Sequence, residues 1–166
     1  MDRPRLFYVG VIGGRRCSRE TAALAREAGR RIAEAGWILV CGGAGGVMAA
    51  ACRGAFEAGG LTVGILPGMS REEANPYLTC SLPTGLGEMR NALVVRASSA
   101  LIALEGSYGT LSEIALANAA AVPVVSLRTP KPAAGKAAGN LRLFSFETDD
   151  PAAAVAWIKK NSPEAV

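Results

Sequence analysis

Short apolar runs alternate with longer segments of helical periodicity along the whole chain. The run from Leu6 to Ile12 has no charged residue, which is typical of a strand buried on both faces of a sheet. After it, Ala25, Ala28 and Ile32 recur at helical spacing, and Ser18 is a suitable N-cap. The pattern predicts strands over 6–12, 37–41, 61–66, 78–82, 100–104, 122–127 and 141–146, and helices over 19–35, 47–58, 88–97, 111–120 and 151–161.

This order of elements predicts one fold class. Strands that alternate with helices require right-handed crossovers and a sheet covered on both sides. We therefore expect an α/β, Rossmann-like, doubly wound fold with a mainly parallel sheet and helices on both faces. No repeat or linker divides the chain, so residues 1–166 are predicted to form a single domain that binds a nucleotide or another phosphate-bearing ligand. The stretch 129–140, rich in Pro, Ala, Gly and Lys, is predicted to be a loop.

Composition limits the kinds of functional site and partner that we expect for this chain. The chain has no histidine, and its four cysteines form no C-x-x-C pair, so no metal site is predicted. The net charge of +4 comes from scattered basic residues without interleaved aromatics, which argues against nucleic acid as a partner. No apolar run has the length of a signal-peptide core or a membrane span. We therefore expect a cytoplasmic protein without a membrane partner.

Three glycine-rich turns join predicted strands to predicted helices. Ligands of such sheets sit outside the carboxyl ends of the strands, where free backbone N–H groups and the helix dipole favour an anion. The spacing of the second turn does not fit a complete dinucleotide fingerprint. Turns alone would also explain the glycines, but three at one sheet edge favour a ligand site. The predicted anion-binding residues are Gly14, Gly42, Gly43, Gly45, Gly46, Gly106, Ser107, Gly109 and Thr110.

Three segments carry a resemblance to a known superfamily. They are G-G-A-G-G-V-M at 42–48, E-M-R-N at 88–91 and G-S-Y-G-T-L-S-E at 106–113. Together they resemble the "lysine decarboxylase-like" superfamily, whose signatures are G-G-G-x-x-G-(L/V)-M and P-G-G-x-G-T-x-x-E. It contains the Lonely Guy phosphoribohydrolases, which act on nucleoside 5′-monophosphates, and the molybdenum cofactor carrier proteins. Other segments, such as T-G-L-G at 84–87, look closer to the carrier-type branch.

The resemblance implies roles for two charged residues. Arg90 and Glu113 occupy the positions of the arginine and glutamate that the phosphoribohydrolases use for catalysis. A carboxylate beside a ribose stabilises the positive charge that develops when an N-glycosidic bond breaks, and arginine holds an anionic group. The alternative is structural, because Thr110 and Glu113 also have the T-x-x-E spacing of a helix capping box.

Two residues depart from the superfamily motif. Glu105 stands where the motif has proline, and Ser107 stands at its second glycine. A carboxylate beside an anion site opposes phosphate binding, unless Glu105 points away or accepts hydrogen bonds from a ribose or a base. These departures favour binding over catalysis.

The sequence therefore leads to a ranked set of functions. The first is binding of a phosphorylated small molecule, either a nucleotide or a pterin such as molybdenum cofactor, with no further cofactor required. The second is a nucleoside 5′-monophosphate phosphoribohydrolase, and the third is a DNA-processing partner. The apolar helices predicted over 88–97 and 111–120 indicate a homodimer or a higher even-numbered oligomer, through Val94, Val95, Leu116, Ala119 and Ala120.

Overall fold

A computed structural model describes residues 6–129 and 143–162. The strands are Tyr8–Ile12 (β1), Ile38–Cys41 (β2), Thr62–Leu66 (β3), Cys80–Pro83 (β4), Ala100–Ala103 (β5), Val124–Leu127 (β6) and Phe146–Thr148 (β7). The helices are Arg19–Glu34 (α1), Val47–Glu57 (α2), Asn91–Arg96 (α3), Tyr108–Ala119 (α4) and Pro151–Asn161 (α5), and a 3-10 turn at Gly87–Arg90 precedes α3.

The seven strands form one sheet in the order β4-β3-β2-β1-β5-β6-β7, and every neighbouring pair is parallel. The chain builds outward from β1 through β4, then returns to the other side of β1 with β5. This arrangement confirms the predicted Rossmann-like α/β fold. The return creates a topological switch point between β1 and β5, where ligands of doubly wound sheets bind.

Helices cover both faces of the sheet. On one face, α1, α2 and α5 bury side chains such as Ile32, Met48 and Ile158 in the larger core. On the other face, α3 and α4 bury Val94 and Ile114 in a smaller core. Strand side chains supply both cores because successive residues of a strand point to opposite faces. Among residues 6–129 and 143–162, no helix is long and apolar enough to cross a membrane.

Helices α1 and α2 touch through their backbones at two glycines. A Cβ atom on Gly29 would lie 1.9 Å from the carbonyl oxygen of Ala51, and one on Gly54 would lie 1.8 Å from that of Arg26. Each glycine is therefore required by the approach of the opposite helix. Around this contact, exposed Arg26 and Arg53 both pair with Glu57.

Several observed elements begin or end a few residues from the predicted bounds, and two differ by more than that. The strand expected over 141–146 is wrong in its position: the described part of the chain places β7 at Phe146–Thr148, beside β6, and residues 141 and 142 lie outside the described residues. The helix expected over 88–97 begins as a 3-10 turn and becomes α-helical only at Asn91. Most of the predicted loop, residues 130–140, also lies outside the described residues.

Candidate functional site

An open cleft of about 1280 Å³ lies at the switch point between β1 and β5. The turns that follow these two strands are held side by side, because the Gly14 backbone N–H donates to the carbonyl oxygen of Glu105 at 2.9 Å. The predicted site residues that line the cleft are Gly14, Arg90, Gly106, Ser107, Gly109, Thr110 and Glu113. The structure therefore brings the predicted catalytic pair and two of the three glycine-rich turns to one place.

The Gly42–Gly46 turn lies behind this cleft and supports it. A Cβ atom on Gly42 would lie 2.5 Å from Nη2 of Arg90, so this glycine makes room for the guanidinium. Gly46 has a φ of +60° and packs on the Gly14 carbonyl, which accepts the backbone N–H of Val47 at 3.0 Å. Gly42, Gly43, Gly45 and Gly46 are not among the residues lining the cleft. Their contact with a ligand stays a prediction.

Asn75 anchors the polar loop after β3 to this turn, a role that no sequence pattern indicates. Its backbone N–H donates to the Gly43 carbonyl at 2.9 Å, and its Nδ2 donates to the carbonyls of Gly43 and Ala44, at 3.2 Å each. The side chain is buried. Because the carbonyls are held from behind by an amide, the loop fixes the shape of the turn that packs against Arg90.

Two buried thiols lie beside the same turn. The Sγ atoms of Cys41 and Cys52 are 3.4 Å apart, and the Gly43 N–H donates to Cys41 Sγ at 3.3 Å. Neither cysteine forms a disulfide. Within residues 6–129 and 143–162, no three His, Cys, Asp or Glu side chains come together as metal ligands.

The start of α4 presents backbone donors to the cleft. The first turn of a helix leaves N–H groups without intrahelical acceptors, and here that turn contains Tyr108, Gly109 and Thr110, which all line the cleft. The Ser107 side chain is not a cap for these donors. Gly106 is required by close approach, because a Cβ atom there would lie 2.0 Å from Thr110 Oγ1. These donors and the helix dipole favour an anion.

The capping-box interpretation of Thr110 and Glu113 is wrong. Helix α4 begins at Tyr108 with Ser107 as its N-cap, so Thr110 lies inside the first turn. Glu113 is one turn further along and lies beside Arg90: its Oε1 is 3.6 Å from Nη1 of Arg90. Glu113 therefore belongs to the wall of the cleft and does not cap its own helix.

Arg90 is a buried cation with an incomplete set of partners. It is only 4% exposed, and its Nη1 donates to Oδ1 of Asn91. Its Nε has no hydrogen-bond partner among the described residues. A buried donor without an acceptor costs free energy, so Arg90 retains the capacity to donate one more hydrogen bond.

Asn91 and Ser112 orient this arginine, and sequence reasoning assigned neither a role. Asn91 accepts from Arg90, and its Nδ2 donates to Oγ of Ser112 at 3.0 Å. Ser112 Oγ in turn donates to the carbonyl oxygen of Gly109 at 2.7 Å. The chain of hydrogen bonds links the guanidinium to the turn at the start of α4. The only sequence signal was the position of Asn91 directly after the motif arginine.

Burial raises the pKa of Glu113 from its ordinary value of 4.5 to about 8. The charge of Arg90 opposes this rise, and the charge of Glu88 adds to it. Desolvation outweighs the ion pair because Glu113 is only 6% exposed. At neutral pH the side chain is therefore mostly protonated, and it leaves the positive charge of Arg90 largely uncompensated.

This shift makes stability depend on pH. Between pH 4.5 and 8 the folded state retains the Glu113 proton that the unfolded chain releases, so the free energy of unfolding falls as the pH rises. Glu113→Gln, which mimics the protonated form, should reduce the fall between pH 5 and pH 9 by at least about 2 kcal/mol in urea unfolding. The control Glu72→Gln removes an exposed carboxylate outside the cleft and should retain the fall. An identical pH profile for Glu113→Gln and the wild type would contradict the assignment.

Four further charged residues line the cleft: Arg15, Arg16, Glu88 and Glu105. Arg15 pairs with Glu88 at 3.1 Å, and both side chains are exposed. The Glu105 carboxylate is turned toward α1, where its Oε1 accepts the backbone N–H of Ser18 at 3.3 Å. Oε1 of Glu105 therefore accepts a hydrogen bond from within the protein. With Glu113 protonated, the cleft carries a net positive charge.

Comparison with known proteins agrees with the fold and the motifs. The protein described as "the molybdenum cofactor binding protein from the phototrophic bacterium Rippkaea orientalis" superposes with a TM-score of 0.86, at 34% identity over 94% of this chain and 97% of that one. The molybdenum cofactor carrier protein of Chlamydomonas reinhardtii gives a TM-score of 0.81, at 37% identity over 94% and 98%.

A third similarity is to an enzyme. The cytokinin riboside 5′-monophosphate phosphoribohydrolase LOG of Oryza sativa subsp. japonica is 35% identical over 111 residues, which are 64% of this chain. The match spans 45% of that protein, so the chain corresponds to about half of its length. The resemblance to the lysine decarboxylase-like superfamily is confirmed, since the SLOG cluster4 family matches residues 6–163. This chain belongs to the SLOG cluster4 family.

Proposed function

We propose that this protein binds a phosphate-bearing small molecule, a nucleotide or a molybdenum cofactor-like pterin, in the cleft between β1 and β5. The observation that carries the proposal is the buried guanidinium of Arg90, whose Nε lacks a partner among the described residues. It lines the same cleft as the N–H donors at the start of α4. A phosphate placed there would receive backbone and guanidinium hydrogen bonds together.

The rest of the cleft suits a planar, partly apolar group. Tyr108 is 89% exposed and Met89 is 78% exposed, and both line the cleft. Aromatic and thioether side chains pack well on the faces of heterocycles. The Rippkaea and Chlamydomonas proteins match almost the whole chain and are described as binding or carrying molybdenum cofactor. This similarity supports a molybdenum cofactor-like pterin as the ligand.

Native mass spectrometry of freshly purified protein tests the proposal. We expect a bound nucleotide or pterin in the wild type, or orthophosphate binding in a ³¹P NMR titration of the stripped protein. Arg90→Ala should weaken binding in either experiment. Wild-type protein that carries no phosphorylated molecule and does not bind orthophosphate would contradict the proposal.

A second candidate function is the hydrolysis of nucleoside 5′-monophosphates. Arg90 and Glu113 lie side by side in the cleft wall, as a phosphoribohydrolase would require, and the match to the rice enzyme supports this reading. The raised pKa of Glu113 leaves little carboxylate at neutral pH, so such activity should increase as the pH approaches 8.

The phosphoribohydrolase hypothesis is tested by incubating the protein with a panel of nucleoside 5′-monophosphates and measuring free base and ribose 5-phosphate. If release occurs, Glu113→Gln should lower it by at least about a hundredfold, because a neutral amide cannot stabilise an oxocarbenium-like transition state. Release that is unchanged in Glu113→Gln would place the chemistry elsewhere. No release from any member would leave ligand binding as the function.

The predicted self-association concerns the α3–α4 side of the molecule. Val94 and Val95 are buried against the sheet and cannot form a contact surface. Leu93, Leu111 and Leu116 are partly exposed there. We propose a homodimer or a higher even-numbered oligomer through these leucines. Light scattering should give at least twice the monomer mass, and Leu116→Glu should lower it; a monomeric wild type at micromolar concentration would contradict this.

A further inference from the structure

Glu105 joins the two turns on either side of the cleft. Its carbonyl oxygen accepts the Gly14 N–H at 2.9 Å, and its Oε1 accepts the Ser18 N–H at 3.3 Å. Glu105 lies two residues before Ser107, the N-cap of α4, while Ser18 is the N-cap of α1. The side chain of Glu105 reaches from the turn before α4 to the start of α1. The starts of these two helices are therefore neighbours.

The two helix starts differ in how their donors are used. At α1, the Ser18 side chain accepts the Thr21 N–H at 3.1 Å, and the carboxylate of Glu105 supplies a negative charge. That charge is stabilised by the dipole of a 16-residue helix. At α4, the Ser107 side chain makes no capping hydrogen bond, the first turn contains no acidic residue, and the nearby Glu88 pairs with Arg15. The start of α1 is thus occupied by an internal anion, and that of α4 is open to an external one.

We propose that Glu105 determines ligand specificity by occupying the start of α1, so that the cleft accepts one phosphate at the start of α4 and rejects a ligand with a second phosphate directed toward α1. The inference rests on the proposed function, since it concerns the same cleft. A second phosphate would meet the carboxylate of Glu105, and like charges in contact repel each other. Without Glu105, the Ser18 N–H would lose its acceptor, and it would favour that second phosphate together with Arg16, which lines the cleft.

Orthophosphate and pyrophosphate are suitable probes, because they differ by one linked phosphate and carry no base or pterin. Their affinities would be measured by ³¹P NMR titration for the wild type, Glu105→Gln and Glu105→Ala. The glutamine keeps the shape and an acceptor for Ser18 but removes the charge, and the alanine also frees the space. Glu88→Gln is the matched control, because it removes one negative charge from the same cleft without opening the start of α1.

We expect the ratio of pyrophosphate to orthophosphate affinity to rise by at least about tenfold in Glu105→Ala, less in Glu105→Gln, and by under about threefold in Glu88→Gln. Thermal unfolding would verify that each variant is folded. An unchanged ratio in both Glu105 variants, or an equal rise in Glu88→Gln, would overturn the inference.

The outcome also separates this inference from the proposed function. Orthophosphate binding by the wild type without a change of ratio in the Glu105 variants would contradict only the role of Glu105. Pyrophosphate binding gained by the Glu105 variants, in a protein that does not bind orthophosphate, would support that role and contradict the proposed ligand. No binding by any form would contradict both.

Discussion

Arg90→Ala should weaken orthophosphate binding by roughly thirtyfold or more, equivalent to a loss of about 2 kcal/mol. The reason is the burial of the guanidinium: it is 4% exposed, and the low local dielectric strengthens each hydrogen bond that it donates. The orthophosphate affinity of Arg90→Lys should lie between those of the wild type and Arg90→Ala, because an ammonium group retains the charge but not the planar, forked donors of a guanidinium. A ³¹P NMR titration measures all three affinities.

Arg96→Ala is the matched control for this prediction. Arg96 is the last residue of α3, the short helix that follows Arg90; it is exposed, and its removal changes the net charge by the same amount. Its loss should change the orthophosphate affinity by less than about twofold, because exposed charges are screened by solvent and salt. If Arg96→Ala weakened binding as much as Arg90→Ala did, the effect would reflect overall charge, and Arg90 would not be a ligand contact.

Gly29→Ala should destabilise the protein by about 3 kcal/mol, although alanine is the better helix former. Helix propensity alone predicts a gain of about 1 kcal/mol. The new Cβ atom, however, would lie 1.9 Å from the Ala51 carbonyl oxygen, so α1 and α2 would have to separate. Gly54→Ala should behave alike, because its Cβ atom would meet the Arg26 carbonyl at 1.8 Å. Urea unfolding measures both.

The control for added methyl groups is Gly109→Ala, another helical glycine. Its Cβ atom would find Glu88 Oε2 at 3.7 Å and Asn91 Nδ2 at 4.0 Å, which is ordinary contact. The change in unfolding free energy should stay within about 1 kcal/mol of zero. A Gly29→Ala variant as stable as the wild type would show that the two helices can move apart at little cost.

The fold was predictable because its signals are local. A run such as Leu6 to Ile12 contains β1, and the glycines that follow it lie where the chain leaves the sheet. Strands that are buried on both faces must be apolar, so their sequence identifies them without knowledge of their neighbours. β7 was misplaced because its three residues include Glu147 and carry no comparable signal.

The site was predicted only in part, because its chemistry depends on contacts between distant residues. The side chain of Glu105 bonds to Ser18, 87 positions away, and Asn75 reaches back to the Gly43 turn. No periodicity encodes such contacts. The protonated state of Glu113 depends on burial, which a motif cannot give. The T-x-x-E spacing suggested a capping box that does not form, because α4 begins at Tyr108, three residues earlier than the predicted start.

The strand order also determines when the cleft can form during folding. Tyr8 pairs with Ile38 across β1 and β2, whereas Val9 pairs with Ala100 across β1 and β5. Closing a segment about three times as long costs about 1 kcal/mol more in chain entropy. The β1–β5 pairing, which brings Gly14 beside Glu105, therefore has the highest cost in chain entropy of the strand pairs in the sheet. This cost favours late assembly of the cleft. A ligand that contacts both turns would then stabilise the strand pairing that forms last.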